Sequence, residues 1–231
     1  LVFSHKKINY GIVQPGKFDK NGVLLIRGRD YISGWNTKGD IFKVSKELHQ
    51  KFIRAKVISG DILMCIVGAT TGEVNQVPIG INNANITQTT ARISCDENKI
   101  LSKFMLYSLK SPLGKIQVDN FKKGAAQPGL NLKMVEDFVV CTPSLDKQKQ
   151  IVSYLDKKTA KIDNEITKNQ NLIKLLQEKK QSEINHAVTK GLDDTVAMKD
   201  SGIEWIGEIP KHWNIMKLKR LVNLSQGIQI P

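Results

Sequence analysis

The sequence has few of the features that mark secreted, membrane or disulfide-rich proteins. Its 231 residues contain three widely spaced cysteines, Cys65, Cys95 and Cys141, an odd number in apolar or strand-like surroundings. We expect free thiols, because disulfide frameworks use even sets of cysteines in oxidising compartments. No apolar run approaches the ~20 residues that a membrane helix needs, and no basic-then-apolar leader opens the chain. We therefore expect a cytoplasmic protein that does not enter a membrane. With Leu1 in first position, we also expect a fragment or a processed form.

Familiar catalytic and metal-binding patterns are also missing. The four histidines share no ligand spacing with cysteines or carboxylates. Residues 11–17 match the phosphate-loop spacing Gly-x4-Gly-Lys, but Phe18 stands where that motif needs Ser or Thr and Pro15 removes one backbone amide. We find no Gly-x-Ser-x-Gly elbow and no motif of adenine methylation or nuclease chemistry. The sequence predicts a binding protein that holds no metal or cofactor of its own.

Positive charge dominates and is unevenly distributed. The chain has 35 Lys plus Arg against 22 Asp plus Glu, a formal charge of +13. Residues 1–145 carry net +9, residues 146–190 net +4, and residues 191–231 net zero. Clustered cations gain free energy by releasing counterions from phosphates. The front of the chain is thus the candidate polyanion-binding region, although solubility alone also accounts for such charge.

The first 145 residues predict a mixed, mostly β domain. Short β-prone runs at 23–26, 62–67, 86–93 and 138–141 are separated by turn pairs such as Asn21-Gly22 and Gly60-Asp61. One helix is predicted from Lys99 to Lys110, where Ser111-Pro112 ends it.

A single long helix is predicted over residues 146–190. Asp146 is a candidate cap, and neither Gly nor Pro occurs from there to Gly191. Steps of four and three select Leu155, Thr159, Ile162, Ile166, Asn169, Ile173, Leu176, Lys180, Glu183 and Ala187. The apolar members Leu155, Ile162, Ile166, Ile173 and Leu176 predict a helix-pairing seam of coiled-coil type. At ~1.5 Å per residue the helix is roughly 60 Å long, too long for this domain to cover. The alternative is an amphipathic helix folded back on its own domain.

The last 41 residues begin a new segment. Residues 201–213 form a Trp-containing loop, and a basic amphipathic stretch follows at 217–224. The ending Gly227-Ile-Gln-Ile-Pro231 repeats the Gly-Ile-x-x-Pro pattern of Gly11 to Pro15, 216 positions earlier. Such an offset predicts a module of about that length repeated in a longer parent chain.

Several segments resemble the specificity (S) subunit of type I restriction-modification systems. The two specific ones are SGIEWIGEIPKHW at 201–213 and GAAQPGLNL at 124–132. Residues 22–35, residues 60–74 and the junction Pro143…Gln148-x-x-Ile-Val are similar to further family segments. Together these matches cover nearly the whole chain.

The resemblance implies an α+β protein that recognises DNA without catalysing a reaction. Residues 1–145 would be a target recognition domain, residues 146–190 a conserved spacer helix, and residues 191–231 a linker and the start of a second recognition domain. In the family, two such domains each read half of a split site in double-stranded DNA. Paired helices hold them apart and bind modification subunits, which use S-adenosylmethionine, and a motor-nuclease restriction subunit uses ATP and magnesium. With one complete helix, this chain would pair with a second copy as a homodimer, or within a longer chain.

Candidate DNA contacts are basic, aromatic or hydroxyl side chains in predicted loops and strand ends. They are Arg27, Arg29, Tyr31, Trp35, Lys38, Thr70, Thr71, Lys122, Lys123 and Gln127. Arginine pairs bidentately with guanine, and lysines beside a Gly-rich turn can approach phosphates.

Most of these residues also have a structural alternative. The two arginines can form surface ion pairs with Asp30 or Asp40, the two lysines can lie in a solvated loop, and Trp35 can belong to the core. Thr70 and Thr71 can simply shape a turn, and Gln127 can brace the junction between domain and helix. At the level of the whole chain, the alternatives are a stand-alone dimeric DNA-binding scaffold and a nuclease with a divergent site.

Overall fold

A computed structural model describes residues 8–32, 34–35, 41–122, 129–223 and 227. The chain divides into two compact units, Leu1–Lys158 and Thr159–Pro231, and the architecture is mixed α+β.

The described strands form three small sheets. The strands are β1 Asn9–Tyr10, β2 Val23–Ile26, β3 Lys43–Val44, β4 Ile62–Cys65, β5 Val74–Gln76, β6 Ala84–Ile86, β7 Thr90–Ile93, β8 Met198–Asp200 and β9 Glu208–Pro210. In the first unit, one sheet has the order β1-β7-β4-β5 and is antiparallel, and the other has the order β3-β2-β6 with β2 and β6 parallel. The third sheet is the hairpin of β8 and β9.

Short helices surround the sheets, and one long helix follows them. They are α1 Gly28–Tyr31, α2 Lys46–Lys51, α3 Ser102–Lys110, α4 Pro112–Phe121, α5 Leu132–Glu136 and α6 Leu145–Lys190. The predicted helix ending at Lys110 is confirmed as α3, and Ser111 separates it from α4 by accepting a hydrogen bond from the Gly114 amide. A Ser N-cap followed by Pro at the first helical position is a strong start signal, which explains the new helix.

The core of the first unit is organised around β4, whose residues are all buried. Its side chains alternate between two sides, as the two-residue period of a strand requires. Ile62 and Met64 pack in a cluster with Leu106 and Leu109 of α3. Leu63 points the other way and packs with residues of the three-stranded sheet. One strand thus joins the helix layer to the second sheet.

Two sequence predictions in the first unit are wrong. The run 86–93 is two strands, β6 and β7, separated by a turn at residues 87–89. The run 138–141 is irregular, not a strand. Its first residue, Phe138, stacks on Phe121 of α4 at 5.7 Å between ring centroids. The apolar side chain therefore packs against a helix although its backbone pairs with none of the described strands.

The predicted long helix is confirmed as α6, which has 46 residues. Asp146 is not its cap, since the helix already includes Leu145 and the carboxylate lies in the first turn. An acidic side chain there still complements the helix dipole. Gln148 is the one buried residue of α6. Across the described residues, no helix has the length and apolarity to cross a membrane.

The second unit contains the rest of α6, then the β8–β9 hairpin, and after it a 3-10 helix at Leu218–Arg220. Met198 pairs with Pro210, and Ile209 is buried. The helix ends at Lys190 and is followed by Gly191, whose φ of +85° is the left-handed conformation that favours glycine after a helix. In the predicted Trp-containing loop, Trp213 is partly buried, whereas Trp205 is 86% exposed.

Candidate nucleic-acid interface

Three connecting segments leave the sheets of the first unit at the same edge. Since β2 and β6 are parallel and Ile26 pairs with Ile86, the residues that follow both strands emerge at one end. Cys65 at the end of β4 pairs with Thr90 at the start of β7. The turns 87–89 and 67–73 therefore lie at that same end. We call residues 27–29, 67–73 and 87–89 the loop edge.

The two predicted arginines differ in how they are held. Arg27 is half-buried: its backbone N–H and its Nε both donate to Asp30 Oδ2, at 2.8 and 3.3 Å, and its guanidinium lies 5.3 Å from the Phe42 ring centroid. Arg29 has 71% of its side chain exposed, with its Nε 3.8 Å from Asp30 Oδ1. Asp30 therefore orients both residues, as the ion-pair alternative expects, and Arg29 has the more accessible guanidinium.

Tyr31 lies under this edge through its contact with Thr90, whereas Trp35 contacts Gln76, which pairs with Ile62 at the opposite end of β4. Tyr31 is fully buried, with its hydroxyl 3.2 Å from Thr90 Oγ1, and burial raises its pKa well above the usual range. The Trp35 indole N–H donates to the Gln76 carbonyl at 2.8 Å, and its ring lies 6.1 Å from that of Tyr31. These contacts give both aromatics a packing role, and their assignment as DNA contacts stays a prediction.

Thr70 and Thr71 lie in the turn between β4 and β5. Thr70 is exposed, with its hydroxyl 3.3 Å from Cys65 Sγ, and Thr71 donates to the Gly68 carbonyl at 2.7 Å. Thr71 thus shapes the turn, while Thr70 remains accessible. At Gly72, where φ is +93°, a Cβ would lie 2.5 Å from Val118 Cγ1 of α4, so only glycine allows this close approach.

Contact with α4 brings Lys122 close to the loop edge. Lys122 follows Val118 by one turn and donates its backbone N–H to the Val118 carbonyl. Its exposed ammonium lies 2.6 Å from Asp119 Oδ1, and this hydrogen bond lowers the pKa of Asp119. Surface ion pairs of this kind contribute little free energy, so the ammonium can exchange its partner for a phosphate. Lys38, Lys123 and Gln127 lie outside the described residues.

Sequence reasoning missed Gln88, an exposed side chain at the centre of the loop edge. Its backbone N–H donates to the Ile12 carbonyl at 3.0 Å, which fixes the turn. The neighbouring hydroxyls of Thr87 and Thr89 are 3.0 Å apart. Glutamine can pair bidentately with adenine. The polar sequence Thr-Gln-Thr-Thr within a β-prone run was the available signal.

The predicted seam of α6 is accessible beyond its first turns. Every residue from 161 to 186 is exposed, and Ile162, Ile166, Ile173 and Leu176 each expose about half of their side chain surface, between 49% and 58%. Leu155 is half-buried and lines an apolar groove of the first unit. Exposed apolar residues at helical spacing are typical of a surface that pairs with another helix.

In the part of the chain that is described, no group of three His, Cys, Asp or Glu side chains is close enough to hold a metal ion. The loop edge offers arginine, threonine and glutamine side chains, which are donors for phosphates and base edges, together with one carboxylate, Glu73.

Residues 7–175 match the family model of the type I restriction modification DNA specificity domain. The chain is 33% identical over 179 residues to the type I restriction enzyme EcoBI specificity subunit of Escherichia coli. It is 30% identical over 172 residues to the MjaVIII specificity subunit of Methanocaldococcus jannaschii. Each match covers 74% of this chain and 37% of the relative, so the chain spans little more than a third of their length.

A solved structure on complex assembly and conformational transition of the type I R-M system contains a chain of similar fold. The TM-score is 0.59 at 18% identity, and the match covers 80% of this chain and 44% of that one. This likeness supports the α+β fold.

Proposed function

The chain belongs to the family of type I restriction modification DNA specificity domains, and from this premise we propose that its first unit recognises one half of a split DNA site. The protein acts as the specificity subunit, or part of it, of a type I restriction-modification complex. It directs adenine methylation and DNA cleavage that partner subunits carry out, and it has no catalytic role of its own.

The gathering of exposed polar side chains at the loop edge is the observation that carries this proposal. Arg29, Thr70 and Gln88 come from three separate segments that the two sheets bring to one end. Lysines near them supply sequence-independent phosphate contacts, and the loop side chains contact base edges in the major groove. Recognition at several positions needs donors held in a fixed array, which strand ends provide better than a free loop.

The partners follow from the second surface. The seam of Ile162, Ile166, Ile173 and Leu176 pairs with another helix, either in a second copy of this chain or in a longer parent chain. The paired helices bind modification subunits, and a restriction subunit joins them. S-adenosylmethionine, ATP and magnesium belong to those partners, and the complex works in the cytoplasm.

Methylome sequencing tests the proposal. Cells would express this chain with the modification subunit encoded beside its gene, and control cells would express the modification subunit alone. We expect a new methyl-adenine motif in two parts. Symmetric halves would support a homodimer of this chain, and asymmetric halves would support a longer subunit with two different domains.

Two other outcomes would count against the proposal. A stable complex with the modification subunit that yields no motif would contradict DNA reading by the first unit. Tight DNA binding by the chain without any such complex would favour the stand-alone dimeric scaffold.

A further inference from the structure

Gln148 makes an unusual set of contacts for a polar residue. Its side chain is fully buried in the first unit, in the first turn of α6. Its Oε1 accepts a hydrogen bond from the Leu101 amide at 2.9 Å. Its Nε2 donates to the carbonyls of Lys99 and Pro143, at 3.1 and 2.8 Å. One amide therefore joins two points before α3 to one point before α6.

The Oε1 and the Nε2 of this side chain each form hydrogen bonds with backbone groups. Burying those backbone groups without a partner would cost free energy. Leu101 is the N-cap residue of α3, whose side chain cannot cap the helix. A buried amide or carbonyl without a partner loses its full hydration free energy. Rotating or sliding α6 against α3 would break the bonds to Leu101 and Lys99 together, since both depend on one side-chain conformation. Gln148 thus fixes α6 in rotation as well as in position.

A second attachment lies eight residues further along the helix. The Tyr107 hydroxyl of α3 donates to Asp156 Oδ1 at 2.5 Å, and Lys103 Nζ lies 3.5 Å from the same oxygen. At 1.5 Å per residue, the two attachments are about 12 Å apart along the axis. Two points on one helix face define its direction, whereas one point would allow tilting.

We propose that Gln148 is a positioning residue that sets the spacing and rotational phase between the two half-sites that the assembled protein recognises. This inference rests on the proposed function and concerns the junction, not the bases that are read. Gln148 reaches no DNA itself; it acts through the direction of α6.

Because α6 is long, a small change in its direction at the junction displaces its far end by several ångströms. Lys190 follows Gln148 by 42 residues, which extend about 63 Å at the standard rise, so a tilt of about 3° moves the far end by roughly 3.3 Å. One base pair of DNA has a rise of about 3.4 Å and a rotation of roughly 35°. The tilt alone matches the rise but not the rotation, so a spacer one base pair longer or shorter also requires α6 to turn about its axis, and the Gln148 hydrogen bonds oppose both movements.

Methylome sequencing tests the positioning role of Gln148. Cells would express the modification subunit together with the full chain or with one of two matched variants. In Gln148→Leu we expect unchanged half-site sequences, while the preference for a single spacer length falls about tenfold, the effect of losing a fixed buried amide. Gln150→Leu makes the same chemical change two residues away, where the side chain is exposed, and should retain the wild-type spacer.

Tyr107→Phe provides a second variant that keeps the ring and removes the hydroxyl, and with it the bond to Asp156. It should broaden the spacer in the same direction but less, and it decides the question if Gln148→Leu does not fold. Hydrogen exchange on the purified chains gives a readout that needs no partner. The Leu101 amide should exchange faster in Gln148→Leu than in Gln150→Leu.

The outcomes separate this inference from the proposed function. A wild-type chain that directs no methylation contradicts the proposed function. If the wild-type chain directs methylation and the folded variants Gln148→Leu and Tyr107→Phe keep one spacer at the wild-type level, the positioning role is wrong. An unchanged Leu101 exchange rate in folded Gln148→Leu would also overturn it.

Discussion

The sheets that precede α6 and the exposed stretch 161–186 within α6 use apolar side chains in opposite ways. In the sheets, the side chains of β4 are buried on both faces. The polar side chains lie in the segments of the loop edge. In the stretch 161–186, every residue is exposed, including Ile166 and Ile173. Surface that stays apolar in water favours burial against another protein. Exposed cations instead favour a polyanion.

Because the two surfaces differ in this way, they should respond differently to salt and to substitutions. Apolar burial involves no release of counterions, whereas phosphate contacts weaken steeply as salt rises. Substitutions in α6 should therefore alter protein association, and substitutions near the loop edge should alter DNA binding, each with little effect on the other.

The largest effect is expected from Ile166→Asp combined with Ile173→Asp. Two carboxylates in an apolar helix interface would each lose hydration without a partner, which is among the most costly changes. We expect loss of self-association, or of binding to the modification subunit, measured by analytical ultracentrifugation. Thermal unfolding of the β-rich domain should be unchanged.

The control for this change is Asn164→Asp with Asn171→Asp. These residues are also exposed on α6 and receive the same charge, but they lie off the predicted seam. Association that survives the isoleucine pair, or that fails equally in the asparagine pair, would contradict the seam assignment.

A smaller effect is expected from Lys122→Ala combined with Lys123→Ala. Each lysine that contacts a phosphate contributes close to one counterion, so the slope of log affinity against log salt should decrease by up to ~2. Binding to all duplexes should weaken to a similar extent, and association through α6 should persist. Fluorescence anisotropy at several salt concentrations measures the slope.

Lys46→Ala with Lys51→Ala is the matched control. Both residues belong to α2, which follows β3 at the end opposite the loop edge, and Lys51 is ion-paired with Glu47 much as Lys122 is with Asp119. The control also lowers the net charge by two. Equal slopes for both pairs would mean that general charge, not location, governs DNA binding.

The sequence predicts local features of this molecule better than the assembled site. The long helix was predictable because 46 residues contain neither Gly nor Pro. The turn at residues 87–89 was not, since its threonines favour strands and no Gly or Pro marks it. The loop edge depends on the parallel pairing of β2 with β6, across about 60 residues, which no local pattern reveals. Individual candidates such as Arg29 and Thr70 could be chosen, but their shared location could not.

The smallest and most selective effect is expected from Gln88→Ala at the loop edge. A side chain that contacts one base should affect one position of the site, by about 1 kcal/mol or roughly fivefold, the lower end for a base contact because Gln88 is exposed. Non-specific affinity and the salt slope should not change, in contrast to the lysine pair. Competition binding with duplexes altered one base pair at a time measures this, and Gln50→Ala on α2 is the matched control. Equal weakening for every duplex would place Gln88 at a phosphate, and no change at any position would remove it from the interface.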